Sequence, residues 1–289
     1  MINATDRLDR RSDRLISTAK KIVSAISAAD KIIVNVSTSL DCCIIMGSII
    51  YRERIFLMTK LGTFYGIGVG PGDPELLTVK AINAIKSVDV IIAPKTEKKE
   101  GSVALSIARS HIKPTTEIIC QVFPMVKDFS EWTEVFDGNK AEIMSNLRRG
   151  KDVAFLTIGD PMFYSTYIYI FRLLRAEGVD VVTIPGVPAF LAIASQLGRP
   201  LAFGNEIISI IPATAPRGAI EKALGASDAA VLMKVYKNLD EIVDALERSG
   251  KLDEATLVSR SGLPDEKIIS DLKNHRGERL NYLSTIITK

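Results

Sequence analysis

From residue 61 onward, short apolar runs alternate with amphipathic stretches. The runs at 64–69, 88–93, 117–123, 153–158 and 179–184 have the length and branched side chains of strands. The run at 153–158 is apolar without a break, as expected of a parallel strand covered on both faces. Between the first two runs, Leu77, Ala81, Ile85 and Val88 recur at helical spacing and point to a core. Helices are also predicted over 102–110, over 132–149 (closed by Gly150), and from the Gly159-Asp160-Pro161 turn to Glu177. Further along, 189–197 reads as a helix of small residues. Strands are predicted at 206–211, 229–234 and 255–259, with helices after Pro216 and Asn238. The closing run at 282–288 alternates well enough for a last strand, with antiparallel pairing open to it. This alternation of strand and helix predicts an α/β fold. A hinge near Pro185-Gly186 would divide it into domains spanning 61–184 and 185–289.

Residues 1–60 have a different character. Charges of both signs alternate from Asp6 to Arg14, as on a solvated helix face, and 15–33 extends this as a marginal amphipathic helix. The apolar patch at 44–50 is too short to cross a bilayer and poorly placed for a secretory signal. Met58 stands just before the first confident strand. The expectation is therefore a poorly ordered N-terminal extension over 1–60, with natural translation starting at Met58.

Composition narrows the function. The chain has 289 residues, 47% hydrophobic and 25% charged, as in a globular protein without membrane spans. Its formal charge of +3 is uneven. Residues 1–60 carry 10 Lys+Arg against 6 Asp+Glu, leaving 27 against 28, a balance of −1, over 61–289. That balance disfavours a nucleic-acid partner. Cys42, Cys43 and Cys120 have neither disulfide-framework nor metal-site spacing, which suits a reducing cytoplasm. With only His111 and His275, a histidine-based triad or a multi-histidine metal site has little to draw on.

The turns carry the chemistry. Gly66, Gly68, Gly70 and Gly72 alternate after the first strand, and Asp73 or Thr78 can cap the helix that follows. A dinucleotide fingerprint fails, because the third glycine slot holds Pro71 or Asp73 and the second strand ends in Pro94-Lys95 instead of an acid. A phosphate loop fails for want of a Gly-Lys pair. The other unusual turns, Gly159-Asp160-Pro161, Pro185-Gly186 and Met233-Lys234, also sit at carboxyl ends of predicted strands, where ligands of open α/β sheets collect. Together they suggest one elongated ligand held largely by backbone groups.

Three stretches, Gly66-Ile-Gly-Val-Gly-Pro-Gly-Asp-Pro74, Ile158-Gly-Asp-Pro-Met-Phe-Tyr-Ser-Thr166 and Pro185-Gly-Val-Pro-Ala189, resemble the tetrapyrrole methylases, which use S-adenosylmethionine. Phe123-Pro-Met125 and Val258-Ser-Arg-Ser-Gly-Leu-Pro-Asp-Glu-Lys-Ile268 resemble the branch acting at carbon 20 of precorrin-2 or cobalt-factor II. The resemblance spans residues 61–289. It implies two α/β domains, each a sheet flanked by helices with the cleft between them, and a homodimer working in cobalamin biosynthesis. It also implies that Pro71, Gly159, Asp160, Phe163, Thr166, Pro188, Ala189 and Met233 bind the cofactor. Bland alternatives stand beside single residues: Asp160 as a helix cap and Met233 as core filler.

A tetrapyrrole carries many carboxylates, so a cleft for it should present local positive charge. Lys95, Lys127, Arg199, Arg217 and Arg260 fall at strand ends or in adjoining loops, with solvated surface charge as the plainer reading of each. A base for the methylated carbon is left open between Asp128 and Tyr164. The rival functions are the same reaction on metal-free precorrin-2, a same-fold methylase of RNA or protein, and a non-catalytic sensor of the adenosyl ligand.

Overall fold

The computed structural model describes residues 61–95, 101–123 and 133–289. The expected extension over 1–60, the Met58 start, Lys127 and Asp128 lie outside them. Thr59–Lys289 forms one compact unit.

Its first sheet holds β1 (Phe64–Gly68), β2 (Val90–Lys95), β3 (Glu117–Val122), β4 (Val153–Thr157) and β5 (Val181–Ile184). The strands are parallel, in the order β3-β2-β4-β1-β5. Helices α1 (Val79–Ser87) and α2 (Val103–Ala108) cover one face, burying Ile85 and Ile107 against Ile67 and Leu156. Helices α3 (Thr133–Arg148) and α4 (Tyr167–Ala176) cover the other, burying Leu147 and Ile170 against Phe64 and Phe155. Cover on both faces explains why β4 is apolar at every position.

After β5 the chain crosses to the second sheet and forms α5 (Ala189–Gln196). The second sheet holds β6 (Ile208–Pro212), β7 (Ala229–Met233), β8 (Thr256–Ser259), β9 (Lys267–Ile269) and β10 (Ser284–Thr288). Its order is β6-β7-β10-β8-β9. The last strand inserts antiparallel between β7 and β8, so β6, β7 and β8 keep a common direction. α5 buries Phe190 and Ile193 on one face against Val231, Val258 and Ile287. Helices α6 (Arg217–Gly225) and α7 (Leu239–Arg248) cover the other, where Leu239, Ile242, Val243 and Leu246 follow helical spacing into the core.

The predicted elements are present, with three differences. β2 begins at Val90 because Val88 N–H is taken by Ala84 O at the end of α1. α4 begins at Tyr167, not at the glycine turn. Asp160 Oδ1 draws in Met162 N–H at 2.8 Å, and Tyr164 has φ 49°, so 160–166 forms a compact loop instead. β9 is a three-residue, mostly exposed edge strand, too short to leave a period. Both expected caps occur, on different helices: Asp73 caps a short 3-10 helix (Pro74–Leu76) and Thr78 caps α1.

Tyr167 links the layers of the first sheet. It is fully buried, its hydroxyl meets Thr183 Oγ1 at 2.7 Å, and its ring stacks on Phe64. Gly66 passes beneath it; a Cβ there would stand 2.1 Å from the ring. Gly66→Ala should therefore lower stability by about 1–3 kcal/mol by overpacking. In urea titrations the loss in a Gly66→Ala/Tyr167→Leu double variant should be smaller than the sum of the single losses. Additive losses would show that the ring is not the obstacle.

Candidate active site

Strands β1 and β4 are neighbours, but the chain leaves β1 towards α1 on one face and β4 towards α4 on the other. Loops that diverge from adjacent strands open a crevice at their carboxyl ends. The two loops remain tied at its floor. Val69 N–H donates to Thr157 O at 2.9 Å, and Gly159 N–H to Gly70 O at 2.8 Å. The loop after β5 joins them through Asp160, whose Oδ2 accepts from Gly186 N–H at 3.1 Å. Gly68 lies between these loops, where a Cβ would be 2.6 Å from both Gly159 O and Gly186 N. Only a residue without a side chain lets the three backbones meet.

The second sheet supplies the opposite wall. The turn after β8 presses on the turn after β1, and a Cβ on Gly72 would be 2.2 Å from Ser261 O. Phe163 reaches from the loop after β4 to Phe190 of α5, with ring centroids 5.6 Å apart. Past β7, the Lys234 ammonium stands 4.9 Å from the ring centroid of Tyr164. Among the described residues, the non-glycine positions with positive φ are Tyr164 (49°), Lys234 (63°) and Arg260 (58°). All three stand past carboxyl ends of strands, after β4, β7 and β8. Left-handed backbone costs such residues roughly 1–2 kcal/mol each, and strain of this kind gathers at working sites.

The cofactor residues named from the sequence meet here. Pro71 is buried beside the Gly70–Gly159 bridge. Phe163, Ala189 and Met233 are half-buried against the Phe190–Ile193 cluster. Thr166 precedes α4 and Pro188 precedes α5, and neither of these two residues caps its helix with a side chain; at α4 it is Ser165 Oγ that accepts from Tyr167 N–H, at 3.1 Å. The Thr166 hydroxyl and the Ala189 and Phe190 N–H groups at the start of α5 thus keep hydrogen-bonding capacity, while Leu191 and Ala192 N–H donate to Pro188 O. At Gly159, φ is 69° and a built Cβ would make ordinary van der Waals contact with Pro188 Cα and Val187 O at 3.9 Å, so no protein atom bars a side chain there. Asp160 caps no helix. Its Oδ1 folds its own loop through Met162 N–H, and its Oδ2 fastens that loop to the one after β5.

The substrate cations separate. Lys95 ends β2, half-buried, on the same edge. Arg260 follows β8, but its guanidinium is drawn to Asp265. Arg199 is not brought to the crevice. Nη1 donates to Thr256 Oγ1 at 2.9 Å and Nη2 to Glu254 O at 2.6 Å, at the amino end of β8. Arg217 opens α6 and pairs with Glu221 at 2.9 Å one turn on; Glu221 also meets Arg248 of α7 at 2.6 Å. Of the two base candidates, Tyr164 reaches the edge, and burial raises its hydroxyl above the ordinary tyrosine value. It is therefore protonated at neutral pH, a donor and not a base. Lys234, read from the sequence only as part of a turn, is the residue missed. Its one signal was a cation directly after the buried run of β7.

S-adenosylmethionine fits these residues. The unobstructed floor at Gly159, the apolar faces of Phe163 and Met233, the Thr166 hydroxyl and the free N–H groups that open α5 match a ligand with an apolar ring, hydroxyls and an amino-acid end.

Comparison with known proteins gives the family. A family profile described as Tetrapyrrole (Corrin/Porphyrin) Methylases matches residues 63–274. The chain is 37% identical over 228 residues to the cobalt-precorrin-2 C(20)-methyltransferase of Salmonella typhimurium, covering 78% of this chain and 95% of the relative. It is 31% identical over 235 residues to the precorrin-2 C(20)-methyltransferase of a Sinorhizobium species, with the same coverage. Among solved structures, the uroporphyrin-III C-methyltransferase of Thermus thermophilus complexed with S-adenyl homocysteine shares the fold. Its TM-score is 0.57 at 23% identity, covering 78% of this chain and 97% of that one. The chain belongs to the tetrapyrrole (corrin/porphyrin) methylases.

Proposed function

We propose that this chain is an S-adenosylmethionine-dependent C-methyltransferase acting at carbon 20 of cobalt-factor II in cobalamin biosynthesis. The observation that carries this reading is the alignment of C(20)-methyltransferase relatives along 95% of their length. The higher identity to the relative named for a cobalt-bearing macrocycle favours cobalt-factor II over metal-free precorrin-2, which is the second reading.

When bound, the cofactor supplies an electrophilic methyl on its sulfonium. The protein's part is then to position, to exclude water and to hold protons. Pro71, Gly159 and Pro188 line the floor, Phe163 and Met233 offer apolar faces to the adenine, and Thr166 and Ala189 offer polar contacts. Phe163, Tyr164 and Phe190 form an aromatic wall, with Phe163 and Tyr164 only 4.6 Å apart. Orientation in such a water-poor cleft can supply much of the acceleration. The segment 185–188 between the sheets is the hinge of the two-domain arrangement in this reading. A cytoplasmic homodimer belongs to the reading as well, supported by the resemblance. Among the described residues no helix is long and apolar enough to cross a membrane.

Gly159→Ala should weaken S-adenosylhomocysteine binding at least tenfold in calorimetry. The added Cβ projects from the floor beside Pro188 and Val187, where this reading puts the cofactor, while the left-handed backbone costs about 1–2 kcal/mol of stability. Unchanged affinity would place the cofactor elsewhere. Asp160→Ala strips partners from two N–H groups and should cost about 1–3 kcal/mol in thermal unfolding, with weaker cofactor binding. The function itself is tested by incubation with labelled S-adenosylmethionine and either macrocycle. We expect one methyl on carbon 20, transferred faster to cobalt-factor II. Cofactor binding without methyl transfer to either macrocycle would favour the sensor instead.

A further inference from the structure

We propose that Lys234 is a docking point for a carboxylate of the macrocycle, and that Tyr164 holds its ammonium in place. The inference deepens the tetrapyrrole methylase reading and rests on it.

Lys234 differs from Arg199, Arg217 and Arg260. Among the described residues, Lys234 meets no carboxylate within ion-pairing distance, and its recorded partner is the face of the Tyr164 ring. Arg260, by contrast, is already engaged by Asp265, and Arg199 and Arg217 are occupied elsewhere. An ammonium kept half-buried without a counter-ion is costly unless a ligand supplies one. Burial also pushes the Lys234 ammonium below the ordinary lysine value, in keeping with that cost.

Position supports the role. Lys234 directly follows Met233, whose side chain lies in the cluster that faces the cofactor residues. Val235 N–H donates to Ser284 O, and Arg260 N–H to Leu283 O, so Lys234 and Arg260 leave their strands on either side of the start of β10. Their backbones are therefore separated by about two strand spacings, roughly 10 Å. A polycarboxylate macrocycle lying across this edge meets Lys234 as an unneutralised charge. Both partners of the cation–ring contact have left-handed backbones, and they come from opposite walls of the crevice. The contact thus fixes the ammonium relative to both walls, and a cation over an aromatic face is held without being neutralised.

The test uses the full chain and the variants Lys234→Gln, Lys234→Arg, Tyr164→Leu and Lys234→Gln/Tyr164→Leu. Macrocycle KM and kcat are measured at saturating S-adenosylmethionine, and S-adenosylhomocysteine affinity by calorimetry. For Lys234→Gln we expect macrocycle KM to rise about tenfold, a larger change than in kcat, with cofactor affinity within twofold of wild type. Lys234→Arg should recover most of the loss, which also shows that the position tolerates substitution. Tyr164→Leu should raise KM about threefold, and the double variant should be no worse than Lys234→Gln. Unchanged macrocycle KM in Lys234→Gln overturns the proposal. So does weakened S-adenosylhomocysteine binding at unchanged KM, since the ammonium would then serve the cofactor's carboxylate. Additive losses in the double variant overturn the role of Tyr164. A wild-type chain that methylates no tetrapyrrole removes the underlying reading. Normal wild-type turnover with an unaffected Lys234→Gln removes only this inference.

Discussion

Three backbones meet at Gly68, Gly159 and Gly186, with no room for a Cβ on Gly68 or Gly186, and the crevice exists because they do. Adjacent parallel strands whose connections go to opposite faces would otherwise splay apart at their carboxyl ends. Here the bonds from Val69 N–H to Thr157 O and from Gly159 N–H to Gly70 O hold the loops together at their base. Asp160 adds the third loop through Gly186 N–H. The floor is therefore made of main chain, and its polar groups are largely satisfied before any ligand arrives. A bound cofactor meets a preorganised surface and needs no charged side chain beneath it.

The second sheet closes the crevice by the same economy of side chains. Gly72 lets the first glycine loop press on Ser261 O, and the aromatic bridge from Phe163 to Phe190 seals the side nearest α5. Each sheet has its own covered core, so the seam is free to carry strain. It does so at Tyr164, Lys234 and Arg260. Left-handed backbone at three bulky residues opposes folding, and the well-packed layers on either side hold it in place. Such an arrangement turns side chains towards a shared edge that ordinary strand ends would point elsewhere.

The sequence by itself determined the strand and helix pattern, because apolar periodicity is local. The unbroken run of β4 announced a strand covered on both faces, and Leu77, Ala81, Ile85 and Val88 announced the buried side of α1. The alternate glycines and the Gly-Asp-Pro and Pro-Gly turns marked the site, since their chemistry is unusual wherever they fall. Even so, the reason for some of those glycines was not legible. Gly66 and Gly72 are small because Tyr167 and Ser261 O, 101 and 189 residues further on, come to rest against them, and not because a ligand does.

Only the tertiary structure decided which charges belong to the crevice. In the sequence Arg199, Arg217, Arg260 and Lys234 are equivalent cations near strand ends. Folding commits Arg199 to Thr256 and Glu254, Arg217 to Glu221 and Arg260 to Asp265. Lys234 is left above the ring of Tyr164. The separation depends on which partner lies within a few ångströms once the sheets have packed. The Arg217–Glu221 and Arg260–Asp265 pairs are four and five residues apart, but the placing of Arg199 and Lys234 is a property of long-range contacts that no local pattern of residues encodes.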